Sequence, residues 1–96
     1  MSRGPEGKVK DAVRKILETT GAYWFMPAMG AFGRSGIPDV IACHKGHFIG
    51  IECKAGKGKT TALQDRELAN INNTGGTALI INETNLQLLK DTLDKL

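Results

Sequence analysis

Val9, Val13, Ile16 and Leu17 recur at helical spacing. Pro5 suits the first turn of such a helix, and Gly21 follows as a stop signal. The pattern predicts a helix over 5–19, with Glu6 on the same face as Val9 and Val13. "AYWFM" (22–26) is short, aromatic and apolar and predicts a strand. "PAMGAFGRSG" (27–36) holds three glycines and a proline and predicts a mobile loop. Two strands, 37–43 and 48–54, are expected around a Lys45-Gly46 turn, followed by a basic glycine-rich connector at 55–60. Thr61-x-x-Gln64 fits a capping box opening a second helix, on which Gln64, Leu68 and Ile71 share a face and which ends at Gly75-Gly76. The continuous apolar run "TALIIN" (77–82) predicts a buried strand. A last helix is expected from a Thr84 cap, with Leu86, Leu89, Leu93 and Leu96 along one stripe.

The order α-β-β-β-α-β-α predicts an α/β fold. Its four-stranded sheet is mixed: an antiparallel meander, then one strand arriving through a helical crossover. If Lys45 and Gly46 are the central turn residues, partners across the hairpin have numbers that sum to a constant. Asp39 then faces Glu52, Val40 faces Ile51, Ala42 faces Ile49 and Cys43 faces Phe48. Val40, Ala42, Ile49, Ile51 and Cys53 form a wholly apolar face, because side chains alternate along a strand. The other face carries Asp39, Ile41, Cys43, Phe48, Glu52 and Lys54. It is apolar except at one end, where two carboxylates and a lysine meet.

That charged end is the chemical question in the sequence. Directly opposed like charges destabilise a sheet, and two buried carboxylates shift each other's pKa. One reading is a partly buried ion pair in which Lys54 neutralises Glu52 or Asp39. It leaves one carboxylate uncompensated, and a second if Glu6 joins the group. The other reading is a divalent, oxygen-liking cation such as Mg²⁺ between the carboxylates. Gln64 has two candidate roles, capping its helix or positioning the site, which compete for one side chain.

The remaining features narrow the class. Ninety-six residues suit a single domain, 1–96, and 41% hydrophobic residues supply one ordinary core. Thirteen Lys and Arg against ten acidic residues give a net charge of +3. That excess leans towards a polyanionic partner. Arg34, Lys57 and Lys59 fall in loops flanking the carboxylate end, where phosphate contact competes with plain solvation, and Ser35 is a further candidate at a phosphate. Cys43 and Cys53 show neither CxxC nor Cys/His zinc spacing and read as reduced, buried small hydrophobes of a cytoplasmic protein. His44 and His47 read as turn residues and Trp24 as core. No apolar run reaches the length of a membrane span and no charged-then-apolar leader opens the chain.

Pro38-Asp39, followed thirteen residues after the aspartate by Glu52-Cys53-Lys54, resembles the motif of the PD-(D/E)xK nuclease superfamily. The stretch "GIPDVIACHKGHFIGIECKAGKGKTTALQDRELANINNTGG" (36–76) is similar in particular to the VRR-NUC, or virus-type replication-repair nuclease, family. The resemblance covers about residues 6–82. It implies a restriction-endonuclease-like core and a DNA endonuclease that uses Mg²⁺ or Mn²⁺. It also implies a role for each matching position. Asp39, Glu52 and the backbone carbonyl of Cys53 ligate metal, and Lys54 lies by the scissile phosphate. Glu6 matches the acidic residue of the first helix, and Gln64 the glutamine after the ExK strand.

These residues suit phosphodiester hydrolysis, which needs an activated water and neutralisation of charge developing on phosphorus. The expected function is a structure-selective endonuclease that resolves four-way (Holliday) junctions. A homodimer supplies two symmetric sites for that task. The expected setting is the cytoplasm of a bacterial or phage-infected host cell. The alternatives are a flap, nick or single-strand nuclease without junction preference, and an inactive DNA-binding module. The intact Asp39, Glu52 and Lys54 set argues against the last.

Overall fold

The computed structural model describes residues 4–28 and 34–96. Residues 29–33, the centre of the expected mobile loop, lie outside the described residues, as do residues 1–3. Among the described residues, three helices and four strands follow in the expected order: α1 (Pro5–Thr20), β1 (Tyr23–Phe25), β2 (Val40–His44), β3 (His47–Cys53), α2 (Ala62–Asn73), β4 (Thr77–Ile81) and α3 (Leu86–Asp94). The sheet order is β1-β2-β3-β4. Its first two pairings are antiparallel and the β3–β4 pairing is parallel.

The hairpin takes the expected register, from Val40 opposite Ile51 to His44 opposite His47. Its turn needs positive φ at both central residues, and Lys45 and Gly46 adopt φ 53° and 79°. Register then fixes the faces. Val40, Ala42, Ile49, Ile51 and Cys53 are all buried, and they join Val9, Val13 and Leu17 of α1, Ile81 of β4, and Leu89 and Leu93 of α3 in one core. Trp24 packs against the same core, as expected.

α2 lies over the opposite face beside β3 and β4. Its approach depends on Gly50, where a Cβ would lie 2.5 Å from Ile71 Cδ1 and 3.1 Å from Pro38 Cγ. The missing side chain at Gly50 therefore lets both α2 and the Pro38 segment press onto the sheet. They meet over Gly50, two residues before Glu52.

Three local expectations are corrected. Cys53 is buried, but Cys43 is exposed, because it lies opposite exposed Phe48 on the sheet face away from the core. β4 is an edge strand, and Ile80 is 45% exposed, so its apolar run does not mark burial on both faces. Thr84 does not cap α3. The cap position is Asn85, whose side chain folds back onto the preceding turn, Oδ1 accepting from Asn82 N and Nδ2 donating to the Ile80 carbonyl. Thr84 instead donates from N and Oγ1 to Asn82 Oδ1, so the polar residues of 82–85 build a turn and the helix begins only behind it. The leucine stripe survives this shift: Leu89 and Leu93 are fully buried, with Leu86 and Leu96 packed against the core.

Candidate active site

Asp39 occupies a bend immediately before β2 and follows the buried Pro38. At this point backbone pairing between β2 and β3 has stopped, and a side chain takes its place. Asp39 Oδ2 accepts a 2.8 Å hydrogen bond from the Cys53 N–H. The aspartate is thereby fixed to the end of β3, close to the position that the hairpin register assigns it.

Glu52 is 1% exposed. Its side chain projects to the α2 side of the sheet, the face against which Gly50 seats Ile71 of α2. Oε2 accepts a hydrogen bond from Gln64 Nε2 at 3.0 Å and lies 3.5 Å from Lys54 Nζ. Oε1 is buried and has no hydrogen-bond partner. Burial, and secondarily the nearby Asp39 carboxylate, raise the Glu52 pKa from 4.5 to about 7, against the opposing pull of Lys54. A buried acid with one empty oxygen and a neighbouring carboxylate is a receptor for a cation.

Gln64 performs both of its candidate roles, which the sequence set in competition. Its backbone N–H donates to Thr61 Oγ1, and its side-chain Oε1 accepts from the Thr61 N–H, completing the capping box. The amide nitrogen remains free to reach Glu52. One planar group with an acceptor end and a donor end joins the helix start to the buried carboxylate.

The sequence reading left one of Asp39 and Glu52, and also Glu6, without a positive partner, and the structure supplies one for Asp39 and Glu6. Lys10 Nζ stands 3.7 Å from Asp39 Oδ1 and 3.8 Å from Glu6 Oε2. Lys10 is four residues after Glu6, the spacing at which helix side chains become neighbours, so the pairing was available in the sequence. Charge balance alone therefore does not require a metal here. The partnerless Glu52 Oε1 beside a second carboxylate makes that case instead.

Among the described residues, no three His, Cys, Asp or Glu side chains cluster as a metal site. The donors that the resemblance implies are the carboxylates of Asp39 and Glu52 and a backbone carbonyl at Cys53. Burial first and the surrounding carboxylates second push the Cys53 thiol pKa up to about 12, so the free thiol stays protonated near neutral pH.

The expected DNA contacts separate into two groups. Ser35, Lys57 and Lys59 are exposed. Arg34 is held by α2, with Nε 2.9 Å and one terminal nitrogen 3.2 Å from the two oxygens of Glu67. Glu67 is buried, and Arg66 adds a second cation at 3.5 Å. The hydrogen bonds from Arg34 lower the Glu67 pKa. Sequence reasoning missed Glu67, although it stands three residues after Gln64 and so on the same side of α2. Glu6 and Asp39 share Lys10, whereas Lys54 and Gln64 each contact Glu52 Oε2 directly.

Residues 7–87 match the archaeal Holliday junction resolvase family (Hjc). The chain belongs to that family. It is a family of PD-(D/E)xK-type nucleases, in agreement with the superfamily resemblance of the Pro38-Asp39 and Glu52-Cys53-Lys54 motif. Asp39, Glu52, Lys54 and Gln64 all fall inside the matched segment, and Glu6 stands one residue before it. No curated protein matches the chain.

Proposed function

We propose that this protein is a divalent-metal-dependent DNA endonuclease that resolves four-way junctions as a homodimer. The observation that carries the reading is the set at the end of β3. Asp39, buried Glu52 with its partnerless Oε1, and Lys54 at 3.5 Å lie together in a member of a Holliday junction resolvase family. Asp39, Glu52 and the Cys53 backbone carbonyl would hold Mg²⁺ or Mn²⁺. When bound, such an ion polarises the phosphate and supplies a nucleophilic water at neutral pH.

The chain's own residues have separate tasks. The Cys53 N–H holds Asp39 in place, and Gln64 fixes Glu52 through a bond anchored in the α2 cap. Lys54 is mostly buried, with a side-chain exposure of 14%. It presents a positive hydrogen-bond donor to the negative charge that develops on the phosphate. Exposed Lys57, Lys59 and Ser35 follow or precede the site in sequence and offer contacts to the DNA backbone. Two-fold pairing of a small nuclease matches the near two-fold symmetry of a four-way junction. The narrower likeness to VRR-NUC nucleases over residues 36–76 is part of this proposal. So is a reducing, cytoplasmic setting, which suits the free Cys43 and Cys53.

The test is cleavage of linear, nicked, flap and four-way DNA with Mg²⁺, Mn²⁺ or chelator, alongside sedimentation at several concentrations. The expected result is a dimer that cuts the four-way substrate in pairs and stops in chelator. Lys54→Ala is expected to abolish cutting while largely sparing Mn²⁺ binding. Nicking of flaps by a monomer, with intact junctions, refutes the resolving role. Cleavage undiminished by chelator refutes the metal.

A further inference from the structure

Lys10 has no part in the motif that identifies the site, yet it sits on it. We infer that Lys10 is the resident counter-ion of the Asp39 carboxylate and that a divalent cation binds only by displacing it. The inference deepens the metal-site reading above and rests on it.

Both oxygens of Asp39 are engaged. Oδ2 takes the Cys53 N–H, and Oδ1 faces Lys10 Nζ at 3.7 Å. The oxygen turned away from the β3 backbone is thus the one the lysine covers. The Asp39 side chain is only 10% exposed, so the pairing is far less screened than a surface ion pair. The same ammonium lies 3.8 Å from Glu6, which ties the first helix to the site.

Two different lysines therefore neutralise the carboxylates in the free protein. Lys54 serves Glu52, and Lys10 serves Asp39 and Glu6. An uncompensated group of carboxylates would destabilise the end of β3, and a mobile ammonium removes that cost. The lysine side chain is suited to leaving, because it is a point charge on a flexible four-carbon stem and is 29% exposed here. Once a divalent ion occupies the same oxygen, repulsion between the two cations drives Lys10 away. Lys10 consequently lowers the metal affinity of the site while supporting the fold in the absence of metal.

The experiment is calorimetric titration of Mn²⁺ into wild type, Lys10→Met, Lys10→Arg and Asp39→Ala, with thermal melts in chelator and in Mn²⁺. Methionine keeps the apolar stem without the charge. Lys10→Met is expected to bind Mn²⁺ about tenfold more tightly, to melt lower than wild type in chelator and to gain more from Mn²⁺. Lys10→Arg, which keeps the charge, is expected to stay within a few-fold of wild type. Equal or weaker Mn²⁺ binding by folded Lys10→Met, with wild-type binding lost in Asp39→Ala, overturns the role of Lys10 and leaves the metal site standing. Absence of Mn²⁺ binding in wild type and Lys10→Met alike overturns both.

Discussion

Glu52→Gln separates a buried structural acid from a metal receptor, and the structure sets the size of the effect. In the folded protein burial and Asp39 raise the Glu52 pKa from 4.5 to about 7. At about 1.4 kcal/mol per pH unit, that rise corresponds to about 3 kcal/mol. The direction follows from proton counting. Between pH 4.5 and 7 the folded chain keeps the Glu52 proton and the unfolded chain has lost it. Stability therefore falls as pH rises through this window and is level again above it. Glutamine mimics the protonated acid and can still accept the hydrogen bond from Gln64. It carries no charge to titrate, so carboxylates distant from Glu52 cancel in the comparison of the two proteins. The stability difference between Glu52→Gln and wild type, from urea unfolding in chelator, is expected to move by about 3 kcal/mol in favour of the variant between pH 4.5 and pH 8. Adding Mn²⁺ at about 100 times its Kd is expected to return about 2.7 kcal/mol to wild type at pH 8. It is expected to return little to the variant. Parallel pH profiles for the two proteins would show that Glu52 ionises freely in the fold and would remove the main physical argument for a cation at Oε1.

Gln64→Ala is expected to lower the melting temperature and the cleavage rate together, because it removes both the cap acceptor and the donor to Glu52. Thr61→Ala, which removes only the cap, is expected to cost about 1 kcal/mol and to leave the rate of the folded protein unchanged. Circular dichroism melts with single-turnover rates distinguish the two, and an unchanged rate in Gln64→Ala would reduce the glutamine to a cap. Gly36→Ala is expected to be more damaging than Gly46→Ala in urea titrations. Both glycines have positive φ, but only at Gly36 would a Cβ meet backbone, 2.5 Å from the Leu63 carbonyl oxygen and 2.9 Å from Gln64 N. The substitution at Gly46 carries only the left-handed backbone penalty of about 1–2 kcal/mol, and equal losses at the two positions would show that the Gly36 segment does not depend on its close seat against α2.

The sequence by itself determined the element order, the hairpin register and the apolar face, because each follows from local rules. A turn that needs positive φ at two residues, with strands of alternating polarity beside it, leaves little freedom in what faces what. From that register alone Asp39, Glu52 and Lys54 were brought to one end of the sheet, and their chemistry was legible before any coordinates. Tertiary structure decided how that chemistry is held. Lys10 reaches Asp39 only because α1 packs its Val9, Val13 and Leu17 face onto the sheet, and hydrophobic spacing does not say which polar neighbour then meets which strand end. Gln64 proved able to cap and to position at once because α2 begins close enough to Glu52 for the two ends of one amide to be used separately. Arg34 was left between phosphate contact and plain solvation, and the structure pairs it with Glu67, thirty-three residues later. β4 and Thr84 were misjudged because an apolar run does not reveal its place at the sheet edge, and polar residues in a row can build a turn as readily as a cap. Patterns within a segment thus specified what each element is. Contacts between distant segments, each set by the packing of the whole core, specified which charges became partners.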